Sequence, residues 1–190
     1  MLHVSTRGEA PALSFSDALL AGLARDGGLY VPKAWPTLTA GEIAGFSGRS
    51  YADVAERIVG ALADGDVEGS ALSAMIAEAY ATFRHTAVCP LNQIGDNLFV
   101  LELFHGPTLA FKDVAMQLLG RLMDHVLKLR GERATIVGAT SGDTGGAAID
   151  AFKGLERVDV FIIYPQGRVS DVQRRQMTTV EADNVHAVAV

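Results

Sequence analysis

The sequence predicts an α/β protein in which a mostly helical N-terminal part precedes a mostly parallel sheet. Up to about Phe83 the apolar residues recur at intervals of three and four, the period of amphipathic helices. Beyond Cys89 short apolar runs alternate with helical patterns, which is typical of parallel strands joined by helices. We therefore divide the chain into an N-terminal helical domain, residues 1–85, and an α/β domain, residues 86–190.

Three helices are predicted in the N-terminal domain, each beginning at a serine that can cap it. They start at Ser14 or Ser16, at Ser50 and at Ser70. The first is expected to reach Gly27, because glycine commonly follows the last residue of a helix. Residues 29–31 are then expected to form a short strand that Pro32 stops.

The α/β domain is predicted to alternate strands with helices. Strands are expected at 98–104, 134–137, 158–164 and 185–190, and helices from Thr108 or Lys112 to Leu129, at 143–152, and from Arg168 or Ser170. Because the run 158–164 is apolar almost throughout, we expect the sheet to be buried on both faces. The last strand stops in mid-pattern, so we expect the α/β domain to be incomplete at residue 190.

Composition excludes several classes of protein. The chain has 190 residues with 16 basic and 22 acidic side chains, and this net charge of −6 argues against nucleic-acid binding. No apolar run is long enough to span a bilayer, so we expect no membrane partner. Cys89 is the single cysteine and the five histidines lack metal-ligand spacing, so we expect no metal site and a cytoplasmic location.

Lys112 is the first residue with candidate chemistry. It follows a Gly-Pro-Thr turn and stands at the predicted start of a long helix, where the backbone dipoles disfavour a charged amine. Burial beside Phe111 would add to this effect, and an uncharged amine is what Schiff-base formation requires. The alternative is a surface lysine paired with Asp113 or Glu102.

A glycine-rich turn at Ser141-Gly142-Asp143-Thr144-Gly145 is the second candidate feature. It lies between a predicted strand and a predicted helix, so that several backbone N–H groups could face an anion. Its spacing matches neither a Walker loop nor the dinucleotide fingerprint. The local chemistry fits anion binding and a purely structural turn equally well.

These segments resemble those of the threonine synthase family, in the longer-chain branch found in bacteria and fungi. The resemblance rests on His-Gly-Pro-Thr-Leu-Ala-Phe-Lys-Asp at 105–113 and on Ala-Thr-Ser-Gly-Asp-Thr-Gly at 139–145. Asp-Gly-Gly-Leu-Tyr-Val-Pro at 26–32 and Tyr-Pro-Gln-Gly-Arg-Val-Ser at 164–170 also match. The family is one of fold-type-II enzymes that use pyridoxal 5′-phosphate, so the resemblance implies the start of such a domain after residue 86.

The resemblance also implies a reaction and a set of site residues. The reaction converts O-phospho-L-homoserine and water to L-threonine and phosphate. Lys112 would hold the cofactor and move protons, Phe111 would pack beside it, and Asp143 would face its ring hydroxyl, although many relatives have asparagine there. The substrate carboxylate would bind to four residues of the turn: Ser141, Gly142, Thr144 and Gly145.

Two further functions remain open at this point. A serine/threonine dehydratase or a cysteine synthase would share the fold and the turn. A non-catalytic fragment that binds a small anion is the other possibility, because family enzymes are considerably longer and their C-terminal part supplies the cradle for the cofactor phosphate. If 190 residues were the whole molecule, we would expect it neither to hold the cofactor tightly nor to turn over.

Overall fold

A computed structural model describes residues 1–140 and 142–190 and confirms the predicted α/β class. The chain divides into two compact units, residues 1–77 and residues 78–190. The unit boundary falls within one helix, α4 (Gly69–Tyr80).

The first unit is mainly helical, as predicted. In chain order its elements are β1 (His3–Ser5), α1 (Phe15–Ala21), β2 (Tyr30–Pro32), α2 (Ala40–Ala44), α3 (Tyr51–Ala63) and the start of α4. Ser14 and Ser50 cap α1 and α3, as predicted, each accepting a hydrogen bond from the backbone N–H three residues on. The β1–β2 pair is antiparallel and was not predicted, because three residues of β1 carry too short a pattern.

The predicted C-terminus of α1 is wrong. The helix ends at Ala21, and Gly22 takes a positive φ of 64° that stops it five residues before Gly27. Leu23, which was expected on the helix, instead forms an antiparallel bridge with Leu29. The helix therefore ends before Gly22, although the apolar pattern continues to Leu23 and favoured an end at Gly27.

The second unit contains a three-stranded parallel sheet. Its strands are β5 (Ala134–Ala139), β6 (Val158–Tyr164) and β7 (Val185–Ala189), in the order β5-β6-β7. The helices of this unit are α5 (Asp113–Arg130), α6 (Asp143–Phe152) and α7 (Asp171–Thr178). Helix α6 packs against α5, β6 and α7. None of the described helices is both long and apolar enough to cross a bilayer.

Only one face of the parallel sheet is buried in the described chain. Val158, Val160 and Ile162 of β6 are buried. On the opposite face, Val137 of β5 and Val188 of β7 are exposed. Val137 pairs with Phe161 of β6, and Val188 pairs with Ile163 of β6. The prediction that both faces are covered is therefore wrong for these residues.

The strand predicted at 98–104 belongs to a separate hairpin. Strand β4 (Leu98–Leu101) pairs antiparallel with β3 (Leu91–Gly95), and both are exposed along their whole length. Asn97, in the connecting turn, has a positive φ of 54°, which asparagine tolerates better than most residues. The prediction missed β3 and placed the end of β4 three residues too late.

Asn184 connects the end of α6 to the start of β6. Its side-chain amide donates to the carbonyls of Phe152 (2.8 Å) and Val158 (2.7 Å), and its Oδ1 accepts from the Gly154 N–H (2.8 Å). We expect Asn184→Ala to lower the free energy of unfolding by about 3 kcal/mol, because buried carbonyls lose their donors. Asn184→Asp should cost more at neutral pH, since a carboxylate oxygen would face those carbonyls.

Urea unfolding followed by circular dichroism measures both losses. Asn92→Ala is the control, because the Asn92 side chain donates to Glu102 in an exposed setting. Equal unfolding midpoints for Asn184→Ala and Asn92→Ala would contradict the assigned role.

Candidate active site

Lys112 lies immediately before α5, at the helix N-terminus that the sequence predicted. Its carbonyl accepts from the N–H groups of Ala115 (3.2 Å) and Met116 (2.9 Å), which starts the helix. The side chain is half-buried, and Nζ lies 4.5 Å from the centroid of the Phe111 ring. Phe111 is 62% exposed, so the burial that we expected for the amine beside it is only partial in the described residues.

Asp113 holds the turn that precedes Lys112. Its fully buried carboxylate accepts from the Thr108 N–H (2.8 Å) and from the Thr108 hydroxyl (2.6 Å). A Cβ added to Gly106 would lie 2.5 Å from the Cβ of Asp113, so this close approach requires glycine. Between them Leu109 adopts a left-handed φ of 64°, a conformation that costs energy for a residue with a side chain. The buried carboxylate therefore maintains a strained turn next to the lysine.

The two carboxylates that the sequence offered as ion-pair partners of Lys112 bind elsewhere. Asp113 accepts from Thr108, as described, and Glu102 lies 2.6 Å from Nε2 of His105. The hydrogen bond with His105 holds the pKa of Glu102 below its usual range, and a donor from Asn92 (2.6 Å) adds to this effect. The ion pair of Lys112 with Asp113 or Glu102, which was the alternative from the sequence, is therefore not formed among the described residues.

Burial raises the pKa of Asp113 above its ordinary value, and the charge of Asp150 acts in the same direction. Because the folded state then binds this proton more tightly than the unfolded state, stability falls as pH rises from the ordinary aspartate range to the raised pKa. We expect Asp113→Asn to remove this fall because an amide does not titrate, and the turn should persist because the amide can still pair with both Thr108 groups. Urea midpoints measured from pH 4 to pH 7 test this, and parallel profiles for the two proteins would contradict it.

The glycine-rich turn lies where β5 meets α6. Gly142 precedes α6, and its carbonyl accepts from the N–H groups of Gly145 (3.0 Å) and Gly146 (3.3 Å). The N–H groups of Asp143 and Thr144, at the first two positions of the helix, have no acceptor within it. Both of these residues are exposed. Ser141, the remaining residue assigned to the substrate, lies outside the described residues.

Gly145, in the first turn of α6, is closely surrounded by other side chains. A Cβ added there would lie 2.5 Å from Cγ2 of Thr140, 2.7 Å from Sδ of Met177 and 2.9 Å from Cγ2 of Ile162. The neighbouring Gly146 has room, because the nearest atoms to its added Cβ lie 3.6 Å away. The first glycine is therefore required for packing and the second is not.

Helix α7 contacts both predicted segments. Gln173 Nε2 donates to Oδ1 of Asp143 (2.7 Å), and Gln176 Nε2 donates to the carbonyl of Thr108 (3.3 Å). The structure thus brings the turn before Lys112 and the glycine-rich turn to one helix, although 30 residues or more separate each pair in sequence. Neither glutamine was predicted from the sequence to lie at the site. The Ser-x-x-Gln pattern at 170–173 would have indicated a helix start, but not this contact.

The chain is similar to known threonine synthases over its whole length. A family model described as the threonine synthase N terminus matches residues 2–80. The threonine synthase of Pseudomonas aeruginosa is 55% identical over 190 residues, which cover all of this chain and 40% of that protein. The threonine synthase of Schizosaccharomyces pombe is 43% identical, with 99% of this chain and 38% of that protein covered.

Solved structures show the same relationship. The structure of threonine synthase from Brucella melitensis with bound pyridoxal phosphate superimposes with a TM-score of 0.97 and 63% identity, covering all of this chain and 41% of that one. The yeast enzyme gives 0.93 and 41%, with 99% of this chain and 40% of that one covered. The chain thus spans about two fifths of the length of these relatives. In sequence and in fold the chain corresponds to the N-terminal portion of these threonine synthases.

Proposed function

We propose that this chain supplies the lysine and the glycine-rich turn of a threonine synthase that converts O-phospho-L-homoserine and water to L-threonine and phosphate with pyridoxal 5′-phosphate. The observation that carries the proposal is the superposition of the whole chain on a threonine synthase that is described with this cofactor bound. The 55% identity to a second threonine synthase supports the same reaction.

The residues present fit such a cofactor and an anionic substrate. Lys112 offers a half-buried amine next to an aromatic ring, and the bonds of Asp113 and Glu102 to other groups leave this amine available. At the start of α6 the amides of Asp143 and Thr144 lack helical acceptors, and the N-terminal end of a helix favours an anion. Amine, ring and amide donors are the groups that this chemistry needs.

Each residue then has a distinct role in the proposal. Lys112 holds the cofactor covalently and transfers protons to and from the substrate carbons. Phe111, which is exposed, would pack beside the cofactor ring, and Asp143 would face the ring hydroxyl. The substrate carboxylate binds to the turn through four residues: Ser141, Gly142, Thr144 and Gly145. When bound, the cofactor supplies an electron sink for charge that develops on the substrate.

Product analysis tests the reaction. The protein that contains this chain is incubated with pyridoxal phosphate and either O-phospho-L-homoserine or L-serine. We expect threonine and phosphate in equal amounts from the first substrate and no keto acid from the second. Keto acid from serine, without threonine from phosphohomoserine, would contradict the proposal.

A further inference from the structure

Helix α7 carries two glutamines, one helical turn apart, whose side chains reach different segments of the candidate site. Gln173 contacts Asp143 in the glycine-rich turn, and Gln176 contacts Thr108 in the turn before Lys112. Residues three apart on a helix lie on the same face, so one side of α7 serves both contacts. Because both contacts join residues that are far apart in sequence, the sequence alone does not predict them.

The orientation of the Gln173 amide is fixed by its own helix. Ser170, the capping residue of α7, donates its hydroxyl to Gln173 Oε1 (2.9 Å) and accepts from the Gln173 N–H (3.3 Å). With Oε1 occupied in this way, Nε2 is the atom left to bind Asp143. A Cβ on Gly142 would overlap the same amide group, so the turn and the glutamine are in direct contact.

Gln176 and Met177 make the remaining contacts of α7 with the glycine-rich turn and with the turn before Lys112. The Cβ and Oε1 of Gln176 lie 3.6 Å from the position of an added Cβ on Gly146, and its Nε2 reaches Thr108. Met177 is almost fully buried and packs directly beneath Gly145. Helix α7 is therefore anchored under the glycine-rich turn while Gln176 extends to the lysine segment.

We propose that Gln173 and Gln176 are positioning residues that fix the glycine-rich turn relative to the segment that carries Lys112. The proposal rests on the proposed function in so far as the two segments act on one cofactor and substrate. A misplacement of about 1 Å between catalytic groups can reduce a rate about a hundredfold, so a rigid connection between them matters. Gln173 acts through Asp143, and Gln176 acts through the Thr108 carbonyl.

An exchange of donor and acceptor tests the Gln173 contact. Gln173→Glu keeps the bond from Ser170 but places a carboxylate against Asp143. The double variant Gln173→Glu with Asp143→Asn restores a donor–acceptor pair with its direction reversed, and Asp143→Asn alone retains an acceptor for Gln173. We expect the first variant to lose the contact, and the other two to keep it.

Hydrogen exchange measured by mass spectrometry reports on the contact without any cofactor. In Gln173→Glu we expect the amides of residues 142–146 to exchange about tenfold faster, the effect of losing one hydrogen bond to a charged group. Cofactor attachment to Lys112, trapped by borohydride, should slow by a similar factor. The exchange rates of residues 142–146 should return to within about threefold of the parent in the double variant.

Gln176→Leu tests the second contact, and Gln93→Glu is the control because Gln93 lies exposed in the β3–β4 hairpin. We expect faster exchange at residues 106–111 in Gln176→Leu and no change in the control. Unchanged exchange in both α7 variants, or a double variant that does not recover, would overturn the proposal. If the parent protein takes up no cofactor, the proposed function fails, whereas the exchange data still decide whether α7 connects the two segments.

Discussion

Lys112→Ala is expected to abolish covalent attachment of pyridoxal phosphate and to lower kcat/KM for O-phospho-L-homoserine by about 10³-fold. The reason is that in the proposed function one amine both holds the cofactor and transfers protons, and a positioned acid–base group alone contributes about 10²–10⁴-fold. Threonine formation measured at several substrate concentrations gives the ratio. The helix should remain intact, because Lys112 contributes its backbone carbonyl rather than its side chain to the start of α5.

The control for this experiment is Lys128→Met. Lys128 lies near the C-terminal end of α5, where it binds Asp124 (2.9 Å) and Glu156 (3.1 Å). These two acids raise the pKa of Lys128. Lys128 lies about 24 Å further along α5 than Lys112, so turnover should match that of the parent. Residual turnover of more than a tenth in Lys112→Ala would contradict the role of the amine.

Gly145→Ala is expected to lower the free energy of unfolding by about 1–3 kcal/mol, because the new methyl group would overlap three buried neighbours. The matched variant Gly146→Ala meets only ordinary contacts and should gain up to about 1 kcal/mol from helix propensity. Urea unfolding of the two proteins provides the comparison. The order of their midpoints is the decisive result.

The same two variants also test whether the close packing of Gly145 affects substrate binding. In Gly145→Ala the turn has to move away from Thr140, Met177 and Ile162, which would shift the amide groups that we propose bind the substrate carboxylate. We therefore expect KM for phosphohomoserine to rise in Gly145→Ala and to stay near the parent value in Gly146→Ala. Equal stability and equal KM in the two variants would show that the close fit has no consequence.

Regular elements with strong patterns were predictable from the sequence. Helix α6 and strand β6 have the predicted bounds, because each combines an unbroken apolar pattern with glycine or charged residues at its ends. Lys112 also lies at the helix start that the sequence indicated. In these places local pattern and tertiary structure require the same residues.

Elements defined by their partners were not predictable. Strand β1 has three residues and exists through pairing with β2, and β3 is recognisable only beside β4. The contacts of Gln173 and Gln176 join segments that are distant in sequence, and no spacing rule reports such contacts. The motifs therefore indicated two candidate segments, and the structure was needed to show how they are held together.

Borohydride reduction in the presence of pyridoxal phosphate, followed by peptide mapping, tests the central claim most directly. The protein that contains this chain is reduced, digested and analysed by mass spectrometry. We predict a pyridoxyl group on the peptide that contains Lys112 and on no other peptide of this chain. A pyridoxyl group on Lys33, Lys128 or Lys153, with Lys112 unmodified, would contradict the account.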